Sequence, residues 1–115
     1  EILISLFVDP NPEVLDLALE VGADIIEIHT GKYANSVDEK SQINELGKIA
    51  AVARMASEMG LIVPAGHGLN YYNIHPFLNI PEIREVSIGH AIISRAVFTG
   101  LHKAVEDMIK ILNKF

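Results

Sequence analysis

Three histidines of the chain share one setting. Each stands within two residues of a glycine, at the end of an apolar run that predicts a buried strand; they are His29, His67 and His90. Parallel α/β sheets and barrels build their active sites at the rim where the C-terminal ends of the strands meet. The three positions therefore predict one enzyme site assembled from three neighbouring strand ends.

His67 is the strongest candidate for acid–base chemistry. It lies between Gly66 and Gly68, and glycines allow sharp turns and close approach of the backbone to a ligand. An imidazole titrates near neutral pH, so it can give or take a proton under physiological conditions. The alternative is that His67 only satisfies backbone groups in a tight turn.

Glu27 precedes His29 by two residues in the predicted second strand. Side chains two apart in a strand point to the same face, which in a barrel is the interior. A carboxylate among isoleucines near a strand end predicts catalysis or substrate orientation. The alternative is an ion pair with a buried arginine or lysine.

The start of the helix at His90 predicts a phosphate site. Unpaired N–H groups at a helix start bind anions, and barrels often hold phosphate near their last strands. Glycines at this turn and beside His67 would let the backbone touch the phosphate; they are Gly66, Gly68 and Gly89. The alternative is an ordinary helix start.

A metal site is a weaker interpretation of the same histidines. His29, His67 and His90 with Glu27 could reach one ion in principle, but the flanking glycines fit phosphate better, so no metal is predicted. The remaining histidines, His75 and His102, fall on helical segments and are expected at the surface or in packing. Tyr71 and Tyr72 are expected at the pocket mouth or in packing.

Composition narrows the class of protein. The chain has 115 residues, 50% of them hydrophobic, with a net charge of -6 and no cysteine. These values favour one globular domain and a small-molecule substrate, and disfavour a nucleic-acid partner or a disulfide framework. No apolar run is long enough for a membrane span. We expect a cytoplasmic protein.

Apolar periodicity predicts an alternating β-α order. Strands are predicted at residues 2–8, 24–28, 61–65 and 85–88, the first of them buried on both faces. Helices are predicted at 13–20, capped by Asn11, and at 42–59, with a polar loop at 30–40 and a short helical piece at 74–79. A short helix begins near His90. The last helix is expected to turn five apolar residues inward: Leu101, Val105, Met108, Ile109 and Leu112.

Four βα units make either a small open sheet or half of an eight-stranded barrel. A half barrel alone would expose two sheet edges and part of an apolar interior. The chain enters a strand almost at Glu1, with no initiator methionine. We therefore favour an α/β fold in which residues 1–115 form one partial domain, the C-terminal half of a (βα)8 TIM barrel, with its N-terminal half outside this sequence.

Four segments then carry a family resemblance. They are residues 5–10 (SLFVDP), 26–34 (IEIHTGKYA), 65–71 (AGHGLNY) and 88–96 (IGHAIISRA), followed by a turn at 98–101 (FTGL). In this order they resemble the pyridoxine 5′-phosphate synthases, a family of (βα)8 barrels, and they correspond to its last four strands.

The resemblance implies an activity and roles for individual residues. The reaction condenses 1-deoxy-D-xylulose 5-phosphate with 3-amino-2-oxopropyl phosphate, closes the pyridine ring in vitamin B6 biosynthesis and releases inorganic phosphate and water, with no metal or organic cofactor. His67 resembles the general acid, and Glu27 the carboxylate that stabilises charged intermediates. Gly68, Gly89 and His90 resemble the site for the amino-ketone phosphate, bound largely through backbone N–H groups.

The resemblance also implies what this chain lacks. The N-terminal half of the family carries a further catalytic histidine and glutamate and the arginines for the second phosphate, so these 115 residues alone are predicted to be inactive. The family also implies a homo-oligomer. Two alternatives stay open: another phosphate-sugar barrel enzyme, although Lys32 lies in a predicted loop and not at a strand end, and a non-catalytic half barrel.

Overall fold

The sheet has four parallel strands that follow one another in sequence order. The computed structural model describes residues 1–114 and assigns the strands β1 (Ser5–Val8), β2 (Ile25–His29), β3 (Ala65–Gly66) and β4 (Val86–Ser87). Residues 5–8 of β1 pair in register with residues 25–28 of β2, and β3 pairs with both β2 and β4. The predicted α/β class with four parallel strands is confirmed.

Helices occupy the crossovers between the strands, and two more follow the last strand. They are α1 (Glu13–Glu20), α2 (Gly31–Ala34), α3 (Glu39–Glu58), a 3₁₀ helix (His75–Asn79), α4 (His90–Thr99) and α5 (Leu101–Leu112). Helix α3 begins three residues earlier than predicted because Asp38 caps it: the backbone N–H of Ser41 donates to the Asp38 carboxylate at 2.7 Å. The predicted cap of α1 is wrong, since Pro12 and not Asn11 occupies the N-cap position and no side chain caps this helix.

The core lies between one face of the sheet and the helices. Ile26 and Ile28 of β2 are fully buried there. They belong to one cluster with the inner faces of α1 and α3, formed by Leu15, Ala18, Ile49, Val52, Ala53 and Ala56. Burial alternates along β2, so Glu27 and His29 share the opposite face, as predicted.

That opposite face of the sheet is uncovered within residues 1–114. Phe7 of β1 is 55% exposed and Ile62, beside β2, is 52% exposed. The prediction that the first strand is buried on both faces is therefore wrong. Helices cover only the face that carries Leu6 and Val8, whereas Ser5 and Phe7 face outward.

The third strand is shorter than predicted, although residues 62–66 still run beside β2. The N–H groups of Ile26 and Ile28 donate to the carbonyls of Ile62 and Pro64, both at 2.9 Å. Proline has no N–H group to donate, so it interrupts a regular ladder. The assigned strand is thereby confined to Ala65 and Gly66.

The predicted loop at residues 30–40 is in part a helix. Tyr33 of α2 is only 1% exposed, and its hydroxyl donates to the carbonyl of Asn73 at 2.6 Å. Burial raises the pKa of this Tyr33 hydroxyl. A large buried aromatic thus anchors a segment whose polar composition had predicted an irregular loop.

The last helix buries less than its sequence predicted. Of the five residues expected inward, Met108 is buried and Leu112 packs partly against the core, while Leu101, Val105 and Ile109 remain exposed. Helix α4 has no buried residue. Much of the apolar surface of these two helices is therefore exposed within residues 1–114. No helix in the described range is long and apolar enough to cross a membrane.

Candidate active site

All five residues predicted for catalysis and phosphate binding line one cleft at the C-terminal ends of the strands. The cleft has a volume of about 700 Å³. Its lining consists of Phe7, Glu27, His67, Gly68, Leu69, Ser87, Ile88, Gly89 and His90. The parallel sheet therefore brings side chains from all four strand ends to one place.

Glu27 projects from β2 over a backbone that has no side chain. A Cβ atom added to Gly66 would lie 2.3 Å from Glu27 Oε1 and 3.0 Å from Ser87 Cβ. Gly66 thus leaves the space that the carboxylate occupies. Glu27 is half-buried. The ion pairs of lysine and arginine within residues 1–114 involve other acids and not Glu27, so the predicted alternative finds no partner in this part of the chain.

His67 occupies an unusual backbone conformation. Its φ is +88°, the one positive value at a non-glycine position in the part of the chain that the structure describes. Such a conformation costs an L-residue free energy and clusters at functional sites. The imidazole is thereby presented on an exposed turn at the mouth of the cleft.

Thr30 holds this turn through its side-chain hydroxyl. Its side chain is fully buried, and its hydroxyl oxygen lies 2.8 Å from the carbonyl of Gly66 and 2.6 Å from that of His67. The Thr30 N–H also donates to the Gly66 carbonyl, at 2.8 Å. Thr30, buried directly after the end of β2, thus holds the strained turn that carries His67.

The turn continues through two asparagines. Gly68 also has a positive φ, +75°, and a Cβ there would meet Ala34 Cβ at 2.6 Å. The side-chain amide of Asn73 donates to the Gly68 carbonyl at 3.0 Å, and the Asn70 N–H donates to the Asn73 side chain at 2.7 Å. Asn70 and Asn73 were not predicted, although asparagine in a glycine-containing turn is a recognisable signal.

The start of α4 forms the other wall of the cleft. Gly89 is the N-cap residue, and His90 is the first helical residue. The N–H of Ile93 donates to the Gly89 carbonyl at 3.0 Å, so the N–H groups ahead of Ile93 have no acceptor within the helix. A Cβ at Gly89 would meet nothing within 4 Å, which means that open space lies beside this turn.

His29 joins the site through its neighbours. Its ring stacks on that of His67 with centroids 4.7 Å apart, and Phe7 contacts it at 4.9 Å. Asp9 Oδ1 lies 3.8 Å from His29 Nδ1. Phe7 and Asp9 were missed by sequence reasoning, although Asp9 directly follows β1 just as the histidines follow later strands.

The other candidates lie elsewhere. Tyr71 is buried. Its hydroxyl donates to the Ala104 carbonyl at 2.7 Å and its ring contacts the Arg95 guanidinium, so its role is in packing. Tyr72 is exposed. His75 and His102 are exposed helical residues that do not line the cleft. Among residues 1–114, no group of three or more histidine and carboxylate side chains could hold a metal ion.

The cleft combines acid–base groups with backbone donors. Glu27, His67 and His90 can exchange protons or carry charge, while the start of α4 offers N–H groups to an anion. The part of the lining contributed by residues 1–114 includes no lysine or arginine. Lys32, exposed on α2, is outside it. A phosphate bound here would therefore depend on N–H groups and imidazole.

The chain is similar to proteins of one family along nearly its whole length. The model of the family described as Pyridoxal phosphate biosynthesis protein PdxJ matches residues 1–114. A protein of Chlorobium phaeobacteroides named Pyridoxine 5′-phosphate synthase is 55% identical over 109 residues, which is 95% of this chain and 46% of that relative. Proteins of the same name from Aliivibrio fischeri and Trichlorobacter lovleyi are 52% and 50% identical, over 96% and 98% of this chain.

The relatives are longer than this chain. It covers 46% of the Aliivibrio fischeri protein and 47% of the Trichlorobacter lovleyi protein. The chain thus spans about half the length of the curated relatives it matches.

Proposed function

Because the chain belongs to the family described as Pyridoxal phosphate biosynthesis protein PdxJ, we propose that it is part of a pyridoxine 5′-phosphate synthase. The complete protein would condense 1-deoxy-D-xylulose 5-phosphate with 3-amino-2-oxopropyl phosphate, close the pyridine ring and release inorganic phosphate and water. The observation that carries the proposal is the convergence of Glu27, His67 and His90 on one cleft beside the start of a helix.

Each residue has a role that suits its position. His67 acts as the general acid, since its imidazole stands at the exposed mouth of the cleft on a fixed turn. Glu27, deeper in the cleft and half-buried, stabilises positive charge that develops on the amino-ketone during condensation. Repeated proton transfers and dehydrations require several titratable groups at one rim.

The phosphate of 3-amino-2-oxopropyl phosphate binds between Gly68 and the start of α4. Gly89 and His90 offer backbone N–H groups there, and a helix N-terminus favours negative charge. The open space beside Gly89 gives a phosphate room to approach the backbone. This chemistry needs no metal and no organic cofactor.

We also propose that the chain is the C-terminal half of a (βα)8 barrel. Two observations support this: the sheet has one uncovered face that carries Phe7, Ile62 and Glu27, and the relatives are about twice as long. Four further strands would cover that apolar face and satisfy the free edges of β1 and β4. They would also supply the remaining acid–base groups and the site for the second phosphate.

The complete protein is proposed to be a cytoplasmic homo-oligomer. Exposed apolar side chains on α4 and α5 support an interface: Val97 is 79% exposed and Phe98 is 91% exposed. Sedimentation of the complete protein tests this proposal. A monomer at all concentrations would contradict it.

The activity is tested with the polypeptide as its gene encodes it. Both phosphates are supplied, and formation of pyridoxine 5′-phosphate is measured for the natural protein, His67→Ala and Glu27→Gln. His75→Ala is the matched control, because His75 is exposed and does not line the cleft. We expect product from the natural protein and the control, and losses of about 100-fold or more in the two site variants.

Other results of these experiments would contradict the proposed function. A well-folded complete protein that makes no product discards the synthase proposal and leaves another phosphate-sugar barrel enzyme. A tight two-fold assembly that binds no phosphate ligand, and whose properties His67→Ala leaves unchanged, favours a non-catalytic half barrel. Residues 1–115 alone are expected to give no turnover, and normal product formation by this isolated chain would contradict the assignment of missing groups to another segment.

A further inference from the structure

His29 has no task in the proposed reaction, yet it contacts the proposed acid directly. The rings of His29 and His67 are stacked, with an interplanar angle of 21° and centroids 4.7 Å apart. The ring of His29 also contacts Phe7, with centroids 4.9 Å apart and an angle of 53°. His29 thus contacts both an aromatic ring of β1 and the imidazole of His67.

One hydrogen bond restricts the ring of His29 itself. The backbone N–H of Gly31 donates to His29 Nδ1 at 3.3 Å, and Asp9 Oδ1, at 3.8 Å from the same nitrogen, lies beyond hydrogen-bond distance. Because Nδ1 accepts the Gly31 hydrogen bond, neutral His29 carries its proton on Nε2.

Gly31 is required for this packing. A Cβ at position 31 would lie 2.4 Å from His29 Cε1 and 3.2 Å from His67 Cδ2. Any side chain there would displace both rings. The absence of a side chain at Gly31 therefore leaves room for both stacked rings.

His67 has fewer constraints of its own. It lies exposed on a turn, and its backbone is held through the Thr30 hydroxyl. The backbone does not set the orientation of the ring, because the side chain can occupy several staggered rotamers unless a neighbour selects one. In the described part of the chain, the neighbour packed on the face of the ring is His29.

We propose that His29 is a positioning residue, whose ring holds the His67 imidazole in the orientation from which it gives its proton. The inference rests on the proposed role of His67 as general acid.

The test compares two substitutions in the complete natural polypeptide. His29→Ala removes the stacking surface, whereas His29→Phe keeps an aromatic face and removes the titrating nitrogens. We expect His29→Ala to lower kcat by about 10- to 100-fold with KM for both phosphates nearly unchanged. His29→Phe should retain kcat within about threefold of the natural protein, because stacking is preserved.

A second readout does not depend on turnover. The imidazole resonance of His67 is identified by its loss in His67→Ala, and its nuclear Overhauser contacts with neighbouring groups are recorded in each His29 variant. We expect these contacts of the His67 ring to change in His29→Ala and to persist in His29→Phe. His75→Ala is the control, which should leave the resonance unchanged.

Two results would overturn the proposal. Natural kcat and unchanged contacts of the His67 ring in His29→Ala would show that the stack orients nothing. A His29→Phe variant as inactive as His29→Ala would make His29 a direct participant in proton transfer. If the natural protein makes no product, the proposed function fails, and the contacts of the His67 ring decide whether His29 orients it.

Discussion

The strained turn at His67 leads to an uncommon prediction, that glycine there stabilises the fold more than alanine does. The φ of +88° at this exposed residue costs an L-amino acid about 1–2 kcal/mol. Glycine avoids that cost, but it loses about 0.4–1 kcal/mol because its unfolded chain is more flexible. The balance leaves His67→Gly more stable than His67→Ala by about 1 kcal/mol.

The assay is urea denaturation of the complete protein carrying each substitution. Asn35 is the matched control, because it is also an exposed turn residue but has a φ of −94°. There the order should reverse, with Asn35→Ala more stable than Asn35→Gly by about 0.4–1 kcal/mol. Both variants of His67 should fail to make product, since neither side chain can give a proton.

Comparing positions 67 and 35 separates the effect of backbone conformation from the effect of the lost side chain. Glycine and alanine at position 67 remove the same imidazole, so their difference reports the conformation and not the lost stacking. If alanine were favoured at position 67 by the same margin as at position 35, the argument from strain would be refuted.

Three further predictions follow from the site and its supports. Gly66→Ala would place a Cβ 2.3 Å from Glu27 Oε1, so we expect kcat in the product assay to fall about 10- to 100-fold. Thr30→Val should lower the free energy of unfolding, measured in urea, by about 1 kcal/mol, because the part-buried carbonyl of His67 loses its hydroxyl donor while that of Gly66 keeps the Thr30 N–H. Hydrogen bonds from Ser41 lower the pKa of Asp38 below 3.8, so Asp38 stabilises the fold above that pH and loses the effect as acid protonates the folded carboxylate. The stability deficit of Asp38→Ala should therefore be full at neutral pH and shrink below pH 3.8.

Each of these has its own control. Gly47→Ala, at a helical glycine with nothing near a Cβ, should leave kcat unchanged. An equal loss of kcat there would contradict the explanation that the Gly66→Ala side chain displaces Glu27. Thr30→Ser keeps the hydroxyl and should restore much of the stability, and equal deficits for valine and serine would contradict the hydrogen-bond account. For Asp38, a deficit that stays constant through the acid range would show that the charge does not cap α3.

Local sequence signals were sufficient for the order of the elements and for the edge at which the site lies. Helix α1 has its predicted bounds, because apolar residues at helical spacing and a following glycine end it clearly. The region around Tyr33 was mistaken for a loop, because its burial depends on the distant Asn73. The inward face of α5 was overestimated, because amphipathic spacing gives a direction for burial but no measure of how far the sheet extends.

The chemistry available to the site follows from the amino-acid sequence: a carboxylate and histidines stand at the ends of consecutive parallel strands, with glycines that allow backbone donors to approach an anion. These properties are local, and the common direction of parallel strands brings them to one edge. The contacts among these residues depend on the tertiary structure. The pairing of His29 with Gly66 across β2 and β3 places His29 beside His67 and Thr30 beneath the same turn. Strand register depends on the packing of the whole sheet, so residues more than thirty-five positions apart, such as Thr30 and Gly66, become neighbours for a reason that no local pattern contains.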